Sequence, residues 1–151
     1  MIRNQSNKFN NVSLSELEKL SSNIISEIYK GCIITLSGPL GAGKTTFARY
    51  LIQSILGINA EVTSPTFNII QIYENLNFNI YHMDFYRLSS EEKNLELDLD
   101  EAFQEGVSII EWPERLAKLI PKQNRIDIII NHINSSDCLR NIEIVSNLKI
   151  K

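Results

Sequence analysis

No apolar stretch in this chain approaches the roughly 20 residues that a helix needs to cross a bilayer. The polar N-terminus also lacks a secretory apolar core, so a cytoplasmic protein without a membrane partner is expected. Cysteine is scarce: Cys32 and Cys138 lie far apart and form no C-x-x-C pair. That signature is therefore missing, and free cytosolic thiols are the expectation. Basic charge is not in excess either. A net charge of −3 and a pI near 5.4 argue against a broad basic surface for RNA or DNA. Any nucleic acid would have to be held mainly by partner proteins. No internal repeat and no interdomain linker breaks the sequence, so residues 1–151 read as a single domain with a substantial core.

Glycine is also sparse, yet three of the six glycines fall between positions 38 and 43. They belong to Gly38-Pro39-Leu40-Gly41-Ala42-Gly43-Lys44-Thr45, a G-x-x-x-x-G-K-T phosphate-binding loop, or P-loop. At average residue usage a chain this long matches that pattern by chance about 0.005 times. Glycine lets the backbone curl into a concave nest of N–H groups that side chains would block. The following helix adds free N–H groups and the positive end of its dipole. Lys44 is placed to reach β- and γ-phosphates, and the Thr45 hydroxyl to ligate Mg²⁺. Cys32 to Leu36 is an apolar run suited to a buried parallel strand. Phe47, Ala48, Leu51, Ile52 and Ile55 recur at helical spacing after the loop, with Gly57 as a stop. Strand, loop and helix in this order disfavour an ordinary glycine-rich turn.

Elsewhere, residues 1 to 12 are polar and Asn-rich and read as a loose start. Ser13 and Glu16 fit a capping box, followed by a helical stripe at Leu17, Leu20, Ile24 and Ile28. Thr63-Ser64-Pro65-Thr66 is a loop. Phe67 to Tyr73 and Phe78 to Phe85 read as a hairpin around Glu74 to Asn77. Residues 89 to 105, charged with scattered leucines, read as an exposed helical region. Val107 to Ile110 is a strand, and Pro113 opens a short helix that runs to Ile120 before Pro121. Ile126 to Ile130 and Ile142 to Val145 form a terminal hairpin joined by a polar stretch. The expected fold is α/β, a P-loop NTPase-like three-layer domain with a mixed sheet.

A P-loop needs an acidic partner that helps hold Mg²⁺, and two strand-end carboxylates qualify, Asp84 and Glu111. One would bind metal and the other orient metal-bound or attacking water; which does which stays open. His82, inside a strand and without a second ligand at metal spacing, reads as a structural histidine. His132 has nothing nearby to recommend it as a ligand. Trp112 either stacks near the nucleotide or seals the sheet edge. The candidate nucleotide-binding set is Gly38, Gly41, Ala42, Gly43, Lys44, Thr45, Thr46 and Trp112; the candidate metal ligands are Thr45, Asp84 and Glu111.

Four segments, Gly38 to Thr46, Ser64-Pro65-Thr66-Phe67, His82 to Leu88 and Glu111-Trp112-Pro113-Glu114, together resemble the TsaE (YjeE) family over roughly residues 13 to 115. The resemblance implies a small Mg²⁺-dependent ATPase that assists synthesis of N6-threonylcarbamoyladenosine in tRNA. It also implies two partners, TsaD, which performs the transfer chemistry, and TsaB, with tRNA engaged indirectly. By resemblance Lys44 and Thr45 hold phosphate and Mg²⁺, Asp84 and Glu111 are the acidic positions, and Trp112 lies near the nucleotide. Ser64 to Thr66 looks like the family's switch-like loop. Pro39 replaces a commonly acidic residue, and Asp98 stands where glycine is common. A small-molecule P-loop kinase is the alternative, yet residues 89 to 105 contain no arginine for a lid, although Arg87 precedes them. A GTPase lacks its N-K-x-D segment here; Asn7-Lys8-Phe9-Asn10 comes nearest. A non-hydrolysing binding module is the third possibility.

Overall fold

A computed structural model of the chain describes residues 5–65, 67–88 and 95–148. Among the described residues seven strands form one mixed sheet in the order β1-β7-β6-β2-β5-β4-β3. They are β1 (Gln5–Val12), β2 (Ile33–Ser37), β3 (Ile70–Tyr73), β4 (Asn79–Asp84), β5 (Gly106–Glu111), β6 (Arg125–Ile133) and β7 (Ser136–Asn147). The central pairs β6–β2, β2–β5 and β5–β4 are parallel, and both flanks are antiparallel.

Strand side chains alternate between faces, which builds two cores. Ile34, Leu36, Ile109 and Ile128 meet α1 (Leu14–Asn23) and α2 (Lys44–Leu56) through Leu17, Phe47, Leu51 and Ile52. Ile33, Met83 and Ile110 face the other way, against α3 (Leu95–Glu105). Three layers result, as the sequence predicts. Burial of each large apolar side chain contributes about 1.5–3 kcal/mol, which anchors α2 along its full length. Ser13 and Glu16 do close the capping box of α1, with Ser13 N–H donating to Glu16 Oε2 at 2.7 Å. Among the described residues no helix is long and apolar enough to cross a membrane.

Four expectations need correction. The loose start holds a strand: β1 pairs with β7 through its backbone, and only its last residue, Val12, is buried. Its polar side chains therefore carried no apolar alternation. Residues 89–94 lie outside the described set, but α3 is not simply exposed, because Leu95, Leu99 and Ala102 pack into the second core. The polar stretch of the terminal hairpin lies within the ladder, with Asn131 facing Asn141 and His132 facing Arg140, so the strands are longer than their apolar runs. Pro113 opens only a 3-10 turn, Pro113–Leu116.

Candidate functional site

The chain leaves β2 at Ser37 and turns through Gly38, Gly41 and Gly43, all at positive φ, before α2 starts at Lys44. A side chain at Gly38 would put its Cβ 2.1 Å from the Ile130 carbonyl oxygen, so the loop passes too close to β6 for any other residue. Among the described residues no side chain caps α2 at Gly43. Its first-turn N–H groups are of the kind that bind anions. Lys44 is buried, and its Nζ donates to the carbonyls of Gly38 (2.7 Å) and Pro39 (2.9 Å). Its ammonium also sits 4.0 Å from the centroid of the Trp112 ring. Burial lowers the Lys44 pKa, opposed by the negative charges of Glu111, Glu114 and Asp84.

Parallel pairing puts Asp84 and Glu111 in register at the ends of β4 and β5, and Glu111 in register with Leu36 of β2. Ligands of open α/β sheets bind at these carboxyl ends. Glu111 is buried; its Oε2 accepts from the Thr45 hydroxyl at 2.9 Å, and its Oε1 lies 2.9 Å from His82 Nε2. His82 is fully buried, as a structural histidine should be, yet its contact is with the site itself, and its Nδ1 has no hydrogen-bond partner among the described residues. Asp84 is half-buried and accepts from the Tyr86 N–H at 2.9 Å. Burial raises its carboxyl pKa, helped by the charge of Glu111 and opposed by the Tyr86 N–H, His82 and Lys44.

Trp112 adopts a left-handed conformation (φ 57°, ψ 51°), rare for a bulky residue. It is held by its N–H bond to the Leu36 carbonyl (3.3 Å), by Lys44 and by Tyr86, whose ring centroid is 4.8 Å away. Such strain is characteristic of functional positions.

A cavity of about 380 Å³ gathers Gly41, Ala42, Gly43, Lys44, Thr45, Thr46, Asp84, Glu111 and Trp112, together with Ser64 and Arg87. Gly38 shapes the loop and does not line the cavity. Thr66 lies outside the described residues. Among those described, no three His, Cys, Asp or Glu side chains converge as a metal cluster. Mg²⁺ does not require one, since it keeps several waters and binds one or two carboxylates plus phosphate oxygens. The sequence reading passed over Arg140 and set His132 aside. Arg140 of β7 donates to the Ala42 carbonyl at 3.0 Å, and His132 Nε2 lies 3.2 Å from the Leu40 carbonyl. More than 90 positions separate the partners, and no motif marks them.

A loop of this form between a parallel strand and a helix, faced by carboxylates of two neighbouring strands, puts the protein in the P-loop α/β class. Comparison with known proteins narrows this. The family model described as "Threonylcarbamoyl adenosine biosynthesis protein TsaE" matches residues 12–142, and the chain belongs to the TsaE family. A Rickettsia typhi protein of that name is 48% identical over 88 residues, 58% of this chain and 61% of the relative's length. The alignment with a Rickettsia felis relative also spans 61% of that protein. A Bacillus subtilis relative is 41% identical over 108 residues, 71% of this chain and 66% of its own. The crystal structure of Bacillus subtilis YdiB superposes with a TM-score of 0.74 at 28% identity, covering 97% of this chain and 89% of YdiB.

Proposed function

We propose that this protein is a cytoplasmic, Mg²⁺-dependent ATPase that supports N6-threonylcarbamoyladenosine formation in tRNA together with TsaB and TsaD. One observation carries the reading: the Thr45 hydroxyl meets buried Glu111 at 2.9 Å in the cavity that also holds Lys44 and Asp84. That set answers a triphosphate and its metal ion. Lys44 would exchange the Gly38 and Pro39 carbonyls for phosphate oxygens, while the free N–H groups at the start of α2 hold the phosphates. Thr45 and Glu111 are the side chains that would hold Mg²⁺; when bound, the ion neutralises charge on the β- and γ-phosphate oxygens.

Asp84 is then the carboxylate that orients the attacking water, its raised pKa making it a better proton acceptor than an ordinary aspartate. Water adds to the γ-phosphorus, the bond to the β-phosphate oxygen breaks, and ADP and phosphate leave. His82 keeps Glu111 oriented from behind. A second cavity of about 390 Å³ shares Gly41, Ala42, Gly43 and Thr46 with the first and is lined also by Val12, Leu14 and Leu17 and by Asp137, Cys138 and Arg140 of β7. Its apolar wall suits the nucleoside end of the same ligand.

The test is ATP turnover by this protein, alone and with TsaB and TsaD, with Lys44→Ala as control. Stimulation that requires both partners and Lys44 supports the proposal. Equal turnover with and without the partners overturns the pathway assignment and directs attention to phosphate transfer onto a metabolite.

A further inference from the structure

We propose that the β6–β7 hairpin sets the working shape of the phosphate-binding loop, with Arg140 as the positioning residue and His132 as its support. The inference rests on the nucleotide-binding reading above. Arg140 Nε donates to the Ala42 carbonyl at 3.0 Å, and Nη2 reaches the Gly41 carbonyl at 3.4 Å. Nη1 donates to the carbonyls of Asp137 and Leu139, both at 2.8 Å, which ties the guanidinium to its own strand. His132, its ladder partner on β6, places Nε2 3.2 Å from the Leu40 carbonyl. In the tautomer that carries the proton on Nε2, this too is a donated bond. Three successive carbonyls, of residues 40, 41 and 42, are thus drawn to one hairpin. Gly38 passes against the same hairpin at Ile130.

Peptide planarity turns this grip into function. In a trans peptide the C=O and N–H point in opposite directions. Holding the Ala42 carbonyl toward Arg140 therefore turns the Gly43 N–H away from the hairpin, where it can serve an anion. The neighbouring Ala42 N–H is already used, closing a turn on the Pro39 carbonyl at 3.1 Å. Four of the five guanidinium donors are engaged by backbone oxygens, so Arg140 acts through the loop and not as a direct ligand of phosphate. A lysine supplies the charge but not the planar fork that reaches separate carbonyls.

The experiment compares wild type, Arg140→Ala, Arg140→Lys and His132→Ala. MgADP affinity is measured by calorimetry, and amide hydrogen exchange across residues 38–46 is followed without nucleotide. Loss of a charge-assisted bond predicts about a tenfold weaker affinity for Arg140→Ala and a smaller loss for His132→Ala. Exchange at the Ala42 N–H, which closes the turn on the Pro39 carbonyl, accelerates in both variants, while exchange in β2 and β5 stays at the wild-type rate. Millimolar methylguanidinium restores the affinity of Arg140→Ala; methylammonium does not, and Arg140→Lys stays weak. Wild-type affinity and wild-type loop exchange in Arg140→Ala overturn the inference. Equal rescue by either cation overturns it as well, because charge alone would then suffice. If wild type binds no nucleotide, the ATP reading fails, and loop exchange still decides whether the hairpin shapes the loop.

Discussion

Replacing Gly38 by alanine tests whether the close passage of the loop against β6 determines its form. The backbone at Gly38 has φ 146°, a region that residues with a Cβ avoid at a cost of about 1–3 kcal/mol. The new Cβ would also stand 2.1 Å from the Ile130 carbonyl oxygen, a backbone atom that cannot rotate away. Relief requires the loop or β6 to move by about 1 Å to reach van der Waals contact. Together these effects cost about 3 kcal/mol, or roughly 6–12 °C in melting temperature for a domain of this size. Gly41→Ala is the control. Its φ is 75°, but nothing lies within 4 Å of the added atom, so only strain of about 1 kcal/mol applies, or about 2–4 °C. The assay is thermal melting without nucleotide, followed by MgATP turnover. A misplacement of about 1 Å in the phosphate cradle predicts a loss of roughly 100-fold in Gly38→Ala. Equal melting of the two variants would refute the reasoning, since both the Ile130 contact and the less favourable φ at Gly38 place Gly38→Ala below Gly41→Ala.

Asp84→Asn should melt above wild type at pH 7, because burial raises the Asp84 pKa and the ionised form opposes folding. The wild-type deficit is absent below the ordinary value of 3.8 and grows as pH rises through the folded value, so melting curves from pH 3.5 to 8 should converge at the acid end. The same variant should lose about 100-fold in ATP turnover, the usual size of a general-base contribution, and normal turnover would remove Asp84 from the site. Ser13→Ala removes the capping box of α1 and should cost about 1 kcal/mol, seen as a drop of about 2–4 °C. Titration with a chromogenic disulfide reagent at pH 8 should find one reactive thiol in the native protein and two after unfolding. Cys138 is exposed, whereas burial pushes the Cys32 thiol up to about 12.

What the sequence made legible was local. β2, the loop and α2 lie within 25 consecutive residues, where apolar run, glycine spacing and helical periodicity agree. β1 was hidden because an edge strand can be held by backbone pairing alone, and its exposed Gln5, Asn7 and Asn10 show no alternation. The inner part of the terminal hairpin was hidden for a related reason: Asn131 and Asn141 pair through backbone while their side chains stay polar. In α3 the buried face rests on Leu95, Leu99 and Ala102, a stripe too narrow to stand out among the surrounding charges.

Asp84 and Glu111 were legible as a pair because each ends an apolar strand. The division of labour proposed for them was not, since parallel register sets them side by side and makes them equivalent in sequence terms. Tertiary packing separates them. The start of α2 brings Thr45 onto Glu111, and β4 brings His82 onto its other oxygen, whereas Asp84 stays half-buried and accepts from the Tyr86 N–H. Arg140 shows the opposite limit. Its partners are backbone carbonyls, which every residue offers, so no complementary side chain exists for a motif to record. A phosphate-binding pattern thus specifies where the loop is, while the hairpin that holds its peptides in place is encoded only through the fold.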